Sequence, residues 1–360
     1  MKTKVIVIST VGLIYDGITS VIRSYLKAMD LSGLEIHVVA TGKAEPDICD
    51  ELEKLGCIIV PLPPRREETK KYFFALKKYI KKNKIKVMHA HGNSGTLAIE
   101  MLAGKLGGCK KRIAHSHNTR CDQVKADKLL RPIFNMFYTD ALACGVDAGK
   151  WLYKNRQFRV LRNGRDLDAY SFDKDVREAM RAEYKLGDRL AIGHVGGFFE
   201  QKNHAFLIEI FREVLRLEPS AELFLVGDGP LRAEIEEKCR DISDSVVFVK
   251  TTNRVSDYLQ MMDGMLLPSL FEGLPLVAVE WQINGLPCLF ADTITRDCAF
   301  AENIEFLSLD DSPAVWAEKL IRIINENERE ALAAAAPQNA RDAGFDIKES
   351  ADELKELYSV

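Results

Sequence analysis

The chain has 360 residues, 47% of them hydrophobic and 29% charged, which is enough to fill two hydrophobic cores and points to two domains. No run of about 18 or more apolar residues occurs, which excludes a membrane-spanning helix, and the opening Met1-Lys-Thr-Lys-Val-Ile-Val-Ile-Ser reads as a strand, too short for a signal peptide. The net charge of −3 hides a split: residues 1–165 hold 30 Lys/Arg against 15 Asp/Glu, and residues 166–360 hold 20 against 38. Two halves of opposite sign suit two domains that face different partners. The eight cysteines show neither a Cys-x-x-Cys pair nor metal-ligand spacing and read as reduced cytosolic thiols.

Short β-rich apolar runs alternate with longer amphipathic stretches. Strands are predicted at 4–9, 35–40, 57–60, 86–89, 112–115, 141–144 and 159–161, and a second series at 190–195, 221–226, 245–249, 264–267, 287–290 and 305–307. Helical spacing separates them, as at 18–29, 95–105, 204–217 and 231–240. This alternation predicts an α/β chain with two parallel sheets, each covered by helices on both faces. The boundary falls at Asn163-Gly164, giving a first domain over 1–164 and a second over 165–345. A terminal helix over 347–358, within a segment 346–360, is expected by analogy to cross back to the first domain.

Residues 65–86 hold ten cations. At helical spacing Tyr72, Phe73, Leu76, Tyr79 and Ile80 share one side, and Lys70, Lys71, Lys77, Lys78, Lys81 and Lys82 spread over the other with Phe74 among them. The pattern suits either an ordinary helix with a solvated basic face or one that docks on an anionic membrane leaflet. No recognition motif accompanies the charge, so no nucleic-acid partner is expected. Further on, His89 and His91 have i, i+2 spacing, but no Cys or carboxylate lies close in sequence, so a loop-packing role is expected rather than metal binding. His115 and His117 alternate at a strand end, and periodicity does not say which of them would reach a ligand.

The second half carries three candidate motifs. Gly196-Gly197-Phe-Phe-Glu-Gln201-Lys202 follows a strand and opens a helix; such glycines allow close backbone approach to a phosphate and Lys202 adds a cation, the alternative being a plain turn with a solvated Lys. Gly227-Asp228-Gly229-Pro230 forms a tight turn at the next strand end. Ser269-Leu-Phe-Glu272-Gly-Leu-Pro275-Leu-Val-Ala-Val-Glu280 sets two carboxylates on either side of a corner, with Pro275 expected at the first position of a helix over 276–284. Taken alone, the two acids read as a helix with a solvated Glu.

Their order and spacing, with Gly285-Leu-Pro287 beyond, resemble the nucleotide-sugar half of the retaining glycosyltransferases of family four, in the bacterial exopolysaccharide and capsule group. Ile113-Ala-His115-Ser-His117-Asn118 and Val160-Leu-Arg-Asn163-Gly164 resemble the same group, so the likeness covers nearly the whole chain. The Glu-x7-Glu block with its flanks is the specific part. The resemblance implies a GT-B fold, two Rossmann-like doubly wound parallel-sheet domains facing a central cleft, the first binding an acceptor and the second a nucleotide sugar.

It also implies roles. Glu280 would accept from the ribose hydroxyls and Glu272 would face the transferred sugar. Backbone N–H groups of Gly273, Leu274 and Leu276 would hold sugar and phosphate. Lys202 would bind the pyrophosphate, with Gly196, Gly197 and Gly227 shaping its turn. The segment 250–254, with Arg254, would line the base pocket. Gly17 would meet the phosphate and His117 the sugar. Glu272, Lys202 and His117 would be the catalytic residues. The implied reaction is retaining transfer of a hexosyl or N-acetylhexosaminyl group from a nucleoside diphosphate, taken as UDP, to a saccharide on a polyprenyl lipid. No metal cofactor is expected, Asp166-x-Asp168 being read as a solvated loop. The implied place is cytoplasmic, peripheral on the inner face of the cell membrane through the basic segment.

Two positions depart from the family pattern. Gly197 stands where members commonly have Arg, and Asp16-Gly17 where they commonly have Gly-Gly. Arg162, Arg165 and Arg254 are candidate replacements for the missing cation. The departures keep a non-catalytic partner subunit open as an alternative. A sugar-nucleotide epimerase would not explain the two acids, and no Gly-x-Gly-x-x-Gly follows the first strand as a dehydrogenase would need.

Overall fold

A computed structural model describes residues 2–359. The chain divides into two compact units, Met1–Gly164 with Asp346–Val360, and Arg165–Phe345.

In the first unit seven strands, β1 (Thr3–Ser9), β2 (Leu34–Thr41), β3 (Ile58–Leu62), β4 (Val87–His91), β5 (Lys111–Ser116), β6 (Asp140–Ala143) and β7 (Arg159–Val160), pair in the order β3-β2-β1-β4-β5-β6-β7. In the second, β8 (Ala191–Val195), β9 (Glu222–Val226), β10 (Val246–Val249), β11 (Gly264–Leu267), β12 (Cys288–Ala291) and β13 (Ile304–Leu307) pair as β10-β9-β8-β11-β12-β13. Every pairing is parallel. Each sheet winds outward in one direction from its first strand and then in the other. With right-handed crossovers that reversal puts helices on both faces and buries the strands on both sides. Accordingly all five residues of β4, β8 and β9 are buried. Each predicted strand is present within one or two residues at either end.

The terminal helix Ile347–Tyr358 packs on the helix Gly17–Ala28 within the first unit. Tyr358 is buried, and Gly164 is where the returning chain passes: a Cβ there would lie 2.6 Å from the Ile347 Cα.

The basic segment is a helix over Thr69–Asn83, anchored by Tyr72, Leu76 and Ile80. Phe73 and Tyr79 are only half-buried, and Phe74 is 63% exposed among the lysines. Arg65, counted in sequence with the basic run, is not part of that face. It is buried and makes a two-pronged pair with the fully buried Glu100, Nε to Oε1 at 2.6 Å and Nη2 to Oε2 at 3.0 Å. Removing one member of a buried pair leaves the other charge without compensation. Glu100→Ala should therefore destabilise the first unit by about 3–5 kcal/mol, read from urea unfolding; a change within experimental error would show that Arg65 finds another partner.

Candidate active site

Lys202 and Glu272, expected to touch different parts of a ligand, touch each other. Lys202 lies in a single 3-10 turn after β8 and Glu272 in the loop after β11. Their Nζ and Oε1 are 2.7 Å apart. Gln201 Nε2 donates to the other oxygen of Glu272 at 3.0 Å and to the Phe271 carbonyl at 2.9 Å, while the Leu270 N–H donates to the Gln201 carbonyl at 2.8 Å. The two loops are thus stitched together at the carboxyl ends of β8 and β11. These strands are where the order of the second sheet reverses, the place at which open α/β sheets form a ligand crevice.

Beside this pair the two glycine turns pack on each other. Gly196 N–H donates to Val226 O at 3.0 Å and Phe198 N–H to Asp228 O at 3.0 Å. A Cβ on Gly227 would lie 2.1 Å from the Gly196 carbonyl oxygen, so Gly227 is needed for contact between the loops. A Cβ on Gly196 would press on the Lys202 side chain at 3.1 Å. At Gly197 the added atom would meet the ring of Phe199, at 2.6 Å, but that ring is 54% exposed and can move.

Pro275 is the N-cap of the following helix, Leu276–Ile283, one position earlier than expected. Its φ of −71° and ψ of 108° lie outside the helix, as is usual for a residue that leads into one. The N–H groups of Gly273, Leu274 and Leu276 donate to no backbone carbonyl among the described residues. Glu280, expected to be reachable by a ribose, is buried and paired with Arg165, Nε to Oε1 at 2.8 Å, with Tyr170 also on its carboxyl group. Burial pushes the Glu280 pKa up, and Arg165 and Tyr170 oppose that.

Arg165 is therefore committed to Glu280 and is not a spare cation for a phosphate. Arg254 is exposed and pairs with Asp257 at 2.9 Å and Glu183 at 3.5 Å. Sequence reasoning missed Arg232. Its Nη1 donates to the Gly227 carbonyl at 3.0 Å and its guanidinium lies over the rings of Phe198 and Phe248 at 5.8 and 5.6 Å. It follows the Gly-Asp-Gly-Pro turn by two residues, which was the available signal. Asp166 and Asp168 are exposed, as expected, but belong to a short helix and not to a loop: Asp166 caps Leu167–Tyr170 by accepting from the N–H groups of Asp168 and Ala169.

In the first unit Gly17 opens the helix Gly17–Ala28, and Asp16 is its N-cap, accepting from Thr19 N–H at 2.8 Å. Four of the five histidines of this unit form one cluster, His89, His91 and His115 buried and His117 half-buried, rather than separate loop contacts. The register sets His91 beside His115, and alternate positions on the two strands put His89 on the same face. His89 Nε2 is 3.1 Å from His115 Nδ1, His91 Nδ1 is 2.8 Å from His117 Nε2, and His89 Nδ1 is 2.7 Å from the Tyr358 hydroxyl. Ring nitrogens of His89, His91 and His115 lie within 4.8 Å of one another, close enough to suggest a metal site. The rings of the bonded pairs, however, are nearly parallel, 10° apart for His89–His115 and 20° apart for His91–His117, and at centroid separations of 5.3 and 5.0 Å they lie edge to edge. Their bonded nitrogens point at each other and are taken up by those contacts.

Burial holds the pKa of His89 and His117 down at about 3 and those of His91 and His115 well below the usual value, helped in His89, His91 and His115 by the neighbouring imidazoles. With folded-state values lowered, the unfolded chain takes up these protons first. Stability is complete above the unfolded value of about 6.5 and is lost as the pH falls towards the folded values. Urea titrations at a series of pH values should show the first unit weakening below about pH 6, and His89→Gln should flatten that slope by up to ~1.4 kcal/mol per pH unit. A midpoint constant down to about pH 4 would contradict a neutral buried cluster.

The chain matches the family described as Glycosyltransferase Family 4 over residues 15–168 and that described as Glycosyl transferases group 1 over residues 189–326. It is 31% identical over 373 residues to EpsF of Bacillus subtilis (strain 168), named as a glycosyltransferase, across 97% of this chain and 94% of that one. It is 25% identical over 316 residues, 80% of this chain and 79% of the other, to the UDP-Gal:alpha-D-GlcNAc-diphosphoundecaprenol alpha-1,3-galactosyltransferase of Escherichia coli. Among solved structures, HepE of Anabaena in complex with UDP superposes with a TM-score of 0.83 at 15% identity, over 99% of this chain and 100% of that one. Its complex with UDP-glucose gives 0.78 at 14%, over 99% of each. The chain belongs to the family-four glycosyltransferases, and its two parallel-sheet units are the Rossmann-like units of the GT-B fold.

Proposed function

We propose that the protein transfers a hexosyl or N-acetylhexosaminyl group, with retention, from a UDP-sugar to a saccharide carried on a polyprenyl lipid, in the synthesis of a bacterial surface polysaccharide. The observation that carries this reading is the Lys202–Glu272 pair at the reversal point of the second sheet, with the unused N–H groups of Gly273, Leu274 and Leu276 beside it. The Escherichia coli relative, whose name specifies a UDP-sugar donor and a lipid-diphosphate acceptor, supports the choice of substrates, as do the UDP and UDP-glucose complexes of HepE.

In this reading the second unit binds the donor and the first the acceptor. Lys202 exchanges the Glu272 carboxylate for the donor's diphosphate. Glu272, still held by Gln201, then accepts from hydroxyls of the transferred sugar. The bond from the anomeric carbon to the phosphate oxygen breaks, and charge builds on the departing UDP, where Lys202 and the loop N–H groups oppose it. The acceptor oxygen bonds to the same face of the anomeric carbon, and its proton passes to the departing phosphate. Glu280 meets the ribose while Arg165 favours its charged form. Arg254 stands by the base, Gly17 meets the phosphate from the first unit, and His117 the sugar. The cationic work falls to Lys202, so transfer should proceed with EDTA present.

A non-catalytic partner subunit was suggested by Asp16 and Gly197. Asp16 is accounted for as a helix cap, its carboxylate held by the Thr19 N–H. A cytoplasmic place, peripheral on the inner face of the cell membrane, is supported by the basic helix, which carries Lys70, Lys71, Lys78, Lys81 and Lys82 exposed around Phe74. No described helix is long and apolar enough to cross a membrane. Docking on an anionic inner leaflet would gain about 1 kcal/mol per cation near the surface.

Lys202→Ala and Glu272→Ala should each lower transfer roughly tenfold or more, the loss of one charged hydrogen bond; unchanged transfer in both would reject these roles. UDP should raise the melting temperature more than GDP or ADP, and less so in Lys202→Ala; no stabilisation by any of them would favour the partner subunit. In flotation assays the protein should rise with anionic liposomes at low salt and not at high salt, and no binding at low salt would rule out electrostatic docking.

A further inference from the structure

The clustered histidines His89, His91, His115 and His117 have ring nitrogens that the proposed chemistry leaves unassigned. Neutral imidazoles carry one proton each, so one nitrogen of every ring donates and the other accepts. His117 Nδ1 is buried without a partner, whereas the His115 ring also faces the Leu161 carbonyl, which favours an N–H there. A buried N–H left without an acceptor is rarer than a bare acceptor, so His117 Nδ1 is the bare nitrogen. His117 Nε2–H then donates to His91 Nδ1, and His91 keeps its proton on Nε2.

We infer that His91 is a positioning residue for His117. It holds the ring by Nε2 and fixes the tautomer in which Nδ1 is a lone pair without a protein donor; that atom is covered in the unliganded chain, and a sugar hydroxyl would have to uncover it to donate there. Two further contacts bear on the same ring: the His117 backbone N–H donates to Asn93 Oδ1 at 2.8 Å, and His115 lies 4.2 Å from it, centroid to centroid. His115 is in turn tied through His89 to Tyr358 of the terminal helix, so the support behind His117 reaches the last turn of the chain. This rests on His117 meeting the sugar, as proposed above, and the experiment separates the two.

Histidine-selective 15N NMR should show His117 as the Nε2–H tautomer in the wild type. In His91→Leu that signature should be lost to a mixture, while His91→Asn, whose side-chain oxygen takes the place of Nδ1 and can accept from Nε2–H, should keep it. In transfer assays His91→Leu should lose roughly tenfold in turnover with a smaller change in acceptor KM, His91→Asn should recover most of it, and His91→Leu with His117→Ala should be no worse than His117→Ala alone. An Nδ1–H tautomer of His117 in the wild type, or losses that multiply in the double variant, would overturn the positioning role. If His117→Ala transfers normally, the placement of His117 at the sugar fails, and the tautomer measurement still decides whether His91 holds the ring.

Discussion

The ion pair between Lys202 and Glu272 joins two loops that are neighbours only because the strand order of the second sheet reverses between β8 and β11. Both side chains are largely buried, at 16% and 9% exposure. An isolated ammonium in that position would carry a desolvation penalty, and so would an isolated carboxylate. Paired, each is compensated before any ligand arrives. In the proposed reading a diphosphate entering the crevice would offer Lys202 a stronger anion, so binding would exchange one counter-charge for another and would not require a bare charge to be kept in waiting. Gln201, bonded to the second oxygen of Glu272, would keep its hold on the acid when Lys202 leaves. Arg165 and Glu280 make a second buried pair of this kind, in which burial would otherwise neutralise the acid.

The first unit solves its interior polarity differently. Its charge balance is strongly positive, so a further buried cation at the ends of β4 and β5 would be costly, and the four imidazoles there are neutral. Hydrogen bonds among them satisfy most ring nitrogens without any ionised group. Neutral rings stack without repulsion, which lets His89 and His91 lie 4.0 Å apart, centroid to centroid. A charge-rich surface of the unit, the lysine side of Thr69–Asn83, is kept outside the core, while Arg65 is brought inside with its own partner, Glu100.

Strand placement was legible in sequence because parallel strands buried on both faces are short continuous apolar runs, and thirteen such runs stood out between amphipathic stretches. Lys202, Glu272 and Glu280 were singled out by the order and spacing of their motifs, which resemble the family pattern; the turn residues around them, taken alone, read as ordinary corners. What sequence did not carry was pairing across the sheet. His91 and His115 are 24 positions apart, and only the register of β4 on β5 makes them neighbours. The same holds for Arg165 with Glu280 and for Arg232 with the Gly227 carbonyl, contacts whose partners lie on different elements. Asp16 shows the converse error: a charge judged by its neighbours along the chain looked like a liability, whereas the helix that begins after it needs an acceptor there.

Gly197 is the remaining departure, and packing explains Gly227 but not Gly197. At Gly227 any side chain would collide with backbone, so the residue is fixed by the way the two turns meet. At Gly197 the obstacle is the movable ring of Phe199, and the φ of this residue is not in the positive range, so the fold would accept a larger residue. The absence of a cation there is a chemical choice and not a steric one. Lys202 reaches the turn from one side, its Cε 3.1 Å from where a Gly196 Cβ would be, and Arg232 lies against the other through the Gly227 carbonyl. Arg232 is also tied to Glu236 at 2.8 Å, which leaves Lys202 as the cation whose counter-ion, Glu272, belongs to the site itself. In the proposed reaction, charge stabilisation in this crevice would therefore rest on a single exchangeable ion pair and on loop N–H groups.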